Sequence, residues 1–117
     1  MIKLANILHI EKDKNSANAL KLLLEKEGFN VHLAHSGKNG LIKIKRKHFD
    51  LVLLDIMLPD MSAWDFFQKL KKSRTKCAFL STIPLSKEKI KELKKAGVSD
   101  YIVSNKDITK RIRSIIS

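Results

Sequence analysis

Residues 49–67 read Phe-Asp-Leu-Val-Leu-Leu-Asp-Ile-Met-Leu-Pro-Asp-Met-Ser-Ala-Trp-Asp-Phe-Phe. Leu51 to Leu54 form a short apolar run of the kind that fills a strand buried on both faces of a parallel sheet. Asp55 follows directly, a carboxylate placed where buried strand gives way to loop. Pro59 stops the extended segment, and Ala63 to Leu70 reads as the start of a helix. In open α/β sheets, ligands gather beyond the carboxyl ends of the strands. That position marks Asp55 as the working residue, or the remnant of one.

Outward from this stretch, 117 residues are enough for one domain, 1–117, with a core that needs no disulfide or metal staple. The single cysteine, Cys77, excludes an intramolecular disulfide and points to a reducing compartment. It precedes Ala78-Phe79-Leu80 and reads as a small hydrophobe entering a strand rather than as a reactive thiol. No apolar run approaches the roughly 20 residues of a membrane span. Met1-Ile2-Lys3 leads straight into a core segment, with no targeting peptide. The expectation is a soluble, cytoplasmic domain. A net charge of +12, from 24 Lys and Arg against 12 acids, would attract nucleic acid, an anionic membrane or an acidic protein. The lysines are spread between the apolar positions of several predicted helices, a pattern closer to a solvated surface than to a reading head.

In chain order, Leu4–Ile10 is a candidate first strand, followed by the charged turn Glu11-Lys12-Asp13. From about Asn15 to Glu27, Ala19, Leu20, Leu23 and Leu24 recur at helical spacing, with Gly28 placed as the terminating residue. Val31 and Leu33 alternate with Asn30 and His32 in a second, shorter strand over 29–34, nearer an edge. Ser36 can cap a second helix carrying Leu41, Ile44 and a basic face, weakened by Gly40. Cys77–Ser81 is a fourth strand. Pro84 and Ser86 open a helix carrying Ile90, Leu93 and Ala96 and closed by Gly97, Val98–Val103 is a fifth strand, and Ile108–Ile116 a last helix. Five strands alternating with five helices predict a parallel sheet covered on both faces. The polar strand ends, Glu11, Lys12 and Asp13, Asp55, Ser81 and Thr82, and Ser104, then share one rim.

At this point the sequence resembles the receiver domain of two-component response regulators. Leu53-Leu54-Asp55-Ile56-Met57-Leu58-Pro59-Asp60-Met61 is similar to that family's phosphoacceptor segment, and Ala96-Gly97-Val98-Ser99-Asp100-Tyr101 to its approach to the fifth strand. The resemblance implies a five-stranded, doubly wound, flavodoxin-like sheet of order 2-1-3-4-5. It also implies phosphoryl transfer from a histidine kinase to Asp55, assisted by Mg²⁺, which neutralises the collected negative charge and prefers oxygen ligands. By the same resemblance Glu11, Asp55 and the Met57 carbonyl would be metal ligands, with Asp13, which falls one place past the second acid's position, as the remaining candidate. Ser81 would be the hydroxyl that contacts the phosphoryl group, and Tyr101 the aromatic that changes rotamer when the site is occupied.

The chain departs from the pattern where charge matters. Lys12 stands where the second metal-binding acid belongs, and could pair with Asp55 or Glu11 in place of Mg²⁺. Ser104 stands where a phosphate-contacting lysine belongs, and Asn105 replaces the following proline, so this loop should have another shape. The leading expectation is an atypical receiver acting as a protein-interaction module, with metal-dependent phosphorylation of Asp55 weakened or absent. A second reading keeps the switch, with Glu11 and Asp13 holding Mg²⁺ and Lys12 or Lys106 binding phosphate. A third is a nucleic-acid-binding module using the lysine-rich surface. The partner face implied by the family surrounds the fourth helix, fifth strand and fifth helix, here Lys87, Lys91, Lys94, Lys95, Tyr101 and Arg111. No glycine-rich phosphate loop or nucleophile elbow suggests an independent enzyme. His9, His32, His35 and His48 lack metal-site spacing; His9 reads as structural, His32 and His48 as surface residues.

Overall fold

The computed structural model describes residues 4–117, so the Met1-Ile2-Lys3 start of the predicted domain lies outside the described residues. Strands β1 (Asn6–Ile10), β2 (Asn30–Ala34), β3 (Leu51–Asp55), β4 (Cys77–Ser81) and β5 (Asp100–Val103) alternate with helices α1 (Lys14–Lys26), α2 (Gly37–Arg46), α3 (Ala63–Leu70), α4 (Lys87–Lys95) and α5 (Ile108–Ile116). All strand pairs are parallel, in the order β2-β1-β3-β4-β5. This is the doubly wound sheet that the alternation predicts.

Alternation along each strand builds two cores. Leu8, Ile10, Val52, Leu54, Cys77, Phe79 and Tyr101 face α2, α3 and α4, whose Phe66, Phe67 and Leu70 complete that layer. Ile7, Leu51, Leu53, Ala78, Leu80 and Ile102 face α1 and α5, against Leu20, Leu24, Ile108 and Ile112. The central run Leu51–Leu54 is wholly buried because both of its faces are covered.

Helix starts follow capping chemistry. Ser36, Ser62 and Ser86 each accept the amide of the residue three places on, through Oγ (Asn39, Asp65 and Lys89). Gly28 and Gly97 take positive φ, +93 and +110, just past α1 and α4, which makes them the terminators expected of them. Gly40 has a reason beyond weak helix propensity. A Cβ there would run into the Ile10 side chain, which would have to shift, so the glycine lets α2 lie close on the sheet.

Several boundaries differ from the sequence expectation. β1 begins at Asn6 rather than Leu4, which is exposed, because pairing with β2 starts there and pairing with β3 one residue later. β2 is at the edge, as expected, but is as long as β1, β3 and β4. β5 begins at Asp100; Val98 is buried in the turn before it. Leu23 is not a core residue: it is 46% exposed, because Ala17, Leu20 and Leu24 form the buried stripe and Leu23 lies about a quarter turn away at 3.6 residues per turn. Trp64 likewise stays 43% exposed beside buried Phe67. Burial pushes the Cys77 thiol pKa upward, as expected of a buried apolar cysteine. No described helix is long and apolar enough to cross a membrane.

Candidate functional site

The register that places Ile10 beside Leu54 brings Glu11 and Asp55 out of the sheet side by side. Both follow residues of the α2–α4 face, Ile10 and Leu54, as His9 follows Leu8, so alternation turns all three to the α1/α5 side, where His9 pairs with Leu53 one step deeper. These three, with Ser81, Thr82, Ser104 and Asn105, line a cleft of about 290 Å³ at the carboxyl ends of the strands. Ser16 and Leu20 of α1 close one side of it.

Asp55 is half-buried, and its Oδ1 accepts the Met57 amide at 2.7 Å, which turns the chain out of β3. Glu11 is half-buried beside it. Burial, a hydrogen bond to the Asp55 carboxylate that only the protonated form can make, and the negative charges of Asp55 and Asp13 raise the Glu11 pKa to about 8. Glu11 Oε2 is buried without a hydrogen-bond partner. His9 is 3% exposed, and its Nδ1 is also buried without a partner. Burial lowers its pKa to about 4, the nearby Asp55 carboxylate offsetting only part of that effect. His9 is therefore a neutral imidazole under a carboxyl pair.

The β4–β5 side is closed on itself. Ser81 Oγ accepts the Ile83 amide at 2.9 Å, and the Ser104 amide donates to the Ser81 carbonyl at 2.7 Å. Tyr101 is buried, with its hydroxyl donating to the Ile83 carbonyl at 2.6 Å. Ser104, Asn105 and Asp107 adopt φ of +51, +56 and +54, so the turn before α5 is a tight left-handed one.

Three expectations are corrected here. Asp13 does not join the other acids: it caps α1, accepting the Asn15 amide at 3.2 Å and the Ser16 hydroxyl at 2.7 Å. Those bonds, with the Ser16 hydroxyl the largest cause, hold its carboxyl below the usual range. Lys12 does not pair with Asp55 or Glu11: it is exposed, does not line the cleft and forms no ion pair among the described residues. Lys106 is exposed and also lies outside the cleft lining. For Asp13 and Lys12 the physical reason is shared. Once α1 starts at Lys14, the residue before it must satisfy free helix amides, and its neighbour is thrown outward.

For Mg²⁺ the remaining donors are Glu11, Asp55 and the Met57 carbonyl. The oxygen chemistry is right, but the third acid is committed to α1, and no group of three or more His, Cys, Asp or Glu side chains among the described residues is arranged around a metal position. The residues do not complete the Mg²⁺ set that the family pattern implies. The expected partner face is split. Lys87, Lys91 and Lys95 are exposed, whereas Lys94 and Arg111 approach Asp100 at 3.9 and 3.0 Å. Tyr101 is turned inward and is not part of the open surface.

The sequence reading missed two residues of this region. His9 lines the cleft, although its alternation with Leu8 and Ile10 and its place two residues before Glu11 put it on the same sheet face as Asp55. Asp60 ties the loop after β3 to α2: its Oδ1 accepts the Gly37 amide at 2.8 Å and its Oδ2 the Lys38 amide at 2.9 Å. Met61 then packs where a Gly37 side chain would sit. Of the other histidines, His48 is exposed, as expected, and His32 is half-buried against Phe49.

The family model described as the response regulator receiver domain matches residues 7–115. The chain is 32% identical over 117 residues to the response regulator ArlR of Staphylococcus saprophyticus and to that of Staphylococcus aureus, covering 97% of this chain and 53% of each relative. It thus spans about half the length of the curated relatives it matches. Among solved structures, a CheY-like receiver domain protein of Methanospirillum hungatei superposes with a TM-score of 0.85 at 30% identity, over 97% of this chain and 94% of the other. CheY4 of Vibrio cholerae shares the fold, with a TM-score of 0.85 at 22% identity over 97% and 99%. So does TrrA of Thermotoga maritima, solved with Mg²⁺ and BeF, with a TM-score of 0.81 at 22% identity over 96% and 99%.

Proposed function

The chain belongs to the response regulator receiver domain family, and from that premise we propose that residues 1–117 act as one receiver domain of two-component signalling whose output is a protein contact. In this reading, metal-dependent phosphorylation of Asp55 by a histidine kinase is weakened or absent. The domain is a signalling module rather than an enzyme in its own right, and it works in the cytoplasm.

The observation that carries the reading is the fate of Asp13. Its carboxylate is spent on the first turn of α1, so one acid, Glu11, rather than two stands beside Asp55. A phosphoryl group arriving at Asp55 meets the Glu11 carboxyl on one side. It has no lysine from the β5 end, because Ser104 stands there in a left-handed turn. Neutralising the charge of the transferred group is what the environment of a phosphoryl transfer must supply, and this cleft supplies little of it.

One observation favours the switching alternative. Glu11 Oε2 is buried, unpartnered and next to Asp55, a place where a cation would take over from the proton that keeps the two carboxyls from both being charged. Amide NMR separates the readings. Mg²⁺ alone and then Mg²⁺ with beryllofluoride should leave the Asp55, Ser81 and Tyr101 resonances in place at millimolar metal. Saturable shifts at all three, lost in Asp55→Asn, would restore a phosphorylated switch.

A further inference from the structure

Nearly all of the chain's net charge lies on one side of the sheet. Counted with their capping residues, α2, α3 with the 3-10 turn that follows it, and α4 carry 14 Lys and Arg against 3 acids, a net of +11. α1 and α5, counted the same way, carry 6 against 4, a net of +2. The whole chain is +12. Local helix chemistry does not call for this imbalance, since α1 balances its lysines with Asp13, Glu25 and Glu27 whereas α2 and its caps contain no acid at all.

All 14 cations of the basic layer are exposed. Among the described residues, only Lys89, with Glu92 at 3.7 Å, and Lys94, with Asp100 at 3.9 Å, have an acidic partner. The three helices lie side by side over one face of the sheet, at about 10 Å per neighbour. The molecule's shorter extents are 28 Å. Duplex DNA offers one phosphate charge per about 1.7 Å of axis, so this face spans roughly sixteen of them.

We propose that the α2–α3–α4 face binds the phosphate backbone of a nucleic acid duplex without reading its sequence. Twelve of the 14 cations are lysines, point charges on flexible stems that suit phosphate contacts better than the paired hydrogen bonds of base readout. The surface is broad and three helices wide, which fits a long polyanion better than one acidic helix lying in a groove. It has no apolar ridge to enter a bilayer: the exposed large hydrophobics on these helices are Ile42 and Trp64, one on each of two helices. The inference does not depend on Asp55 chemistry.

The test is fluorescence anisotropy of a labelled 30-base-pair duplex of arbitrary sequence, titrated with the full chain from 50 to 200 mM salt. Two triple variants of equal net charge are compared, Lys45→Glu/Lys69→Glu/Lys91→Glu on the basic layer and Lys14→Glu/Lys26→Glu/Lys110→Glu on the opposite one. Circular dichroism and amide NMR check that each is folded. With about six phosphate contacts, affinity should drop about a thousandfold across that salt range and should be the same for unrelated sequences. The basic-layer triple should bind at least tenfold more weakly than its counterpart. Absence of binding at 50 mM salt overturns the proposal, and so does equal weakening by both triples. Polyglutamate competing as well as DNA would move the assignment to an acidic protein, and binding to anionic phosphatidylserine vesicles alone would move it to a membrane surface; either result overturns it.

Discussion

At the ends of β1 and β3, Glu11 and Asp55 stand side by side over His9, and two buried polar atoms, His9 Nδ1 and Glu11 Oε2, have no partner. At the ends of β4 and β5, Ser81, Tyr101 and Ser104 are all engaged, with Ile83 taking the Tyr101 hydroxyl and giving its amide to Ser81. Both regions lie on one rim, yet one is electrostatically unfulfilled and the other is closed. An unmade bond in a buried site costs more than a made one gains. The first region is therefore where a cation, a proton or a water would be held, and the second is where the fold is fastened.

The fastening predicts the largest effect. Tyr101→Ala should cost about 3–5 kcal/mol in urea unfolding, as for other buried aromatics truncated in a core. A loss below about 1 kcal/mol would mean that the β4–β5 side is not closed in the way its hydrogen bonds imply.

The unfulfilled side should appear in the pH dependence of stability, where His9 and Glu11 act in opposite senses. His9 has a folded pKa of about 4 against an ordinary 6.5, so between these values the unfolded chain binds a proton that the folded one does not, and stability falls as pH is lowered. Glu11 has a folded pKa of about 8 against 4.5, so the folded chain holds a proton that the unfolded one has released, and stability falls as pH is raised. The two windows overlap between 4.5 and 6.5. There the native chain should be nearly flat as far as this pair is concerned. Glu11→Gln should uncover the His9 slope, losing up to about 3 kcal/mol from pH 6.5 to 4. His9→Leu should uncover the opposite slope, gaining stability as pH drops through the same range. Denaturant midpoints at half-unit pH steps measure both; parallel curves for the two variants would show that the pair is not coupled to folding.

The smallest change is the most specific. Tyr101→Phe keeps the ring and removes only the bond to Ile83, so about 1 kcal/mol should be lost. Amide exchange should quicken at Ile83 and Ser81 and stay unchanged at Glu11 and Asp55. Matching changes on both sides would mean that the rim behaves as one unit.

Much of the fold was legible because it rests on periodicity. The run Leu51–Leu54 could only be a doubly covered strand, and the serines before α2, α3 and α4 are starts that any helix with free amides requires. Asp55, Ser81 and Ser104 could be placed on the rim from strand ends alone. What periodicity did not show was which way a side chain turns once it leaves an element. Leu23 carries the right residue type at a position about a quarter turn from the buried stripe. Asp13 and Lys12 follow Glu11 directly, yet one caps a helix and the other points to water.

By itself, then, the sequence determined the strand and helix order, the parallel sheet, the rim on which Asp55 sits and the size of the positive charge, because each follows from residue type and spacing along the chain. Only the tertiary structure decided that His9 lies beneath the carboxyl pair, that Asp13 is lost to α1, that Asp60 ties the loop after β3 to α2, and that one helix layer carries a net +11 against +2 for the other. Those outcomes depend on which helices share a face and on which free backbone amides compete for a side chain, and both are fixed by distances between residues far apart in the chain.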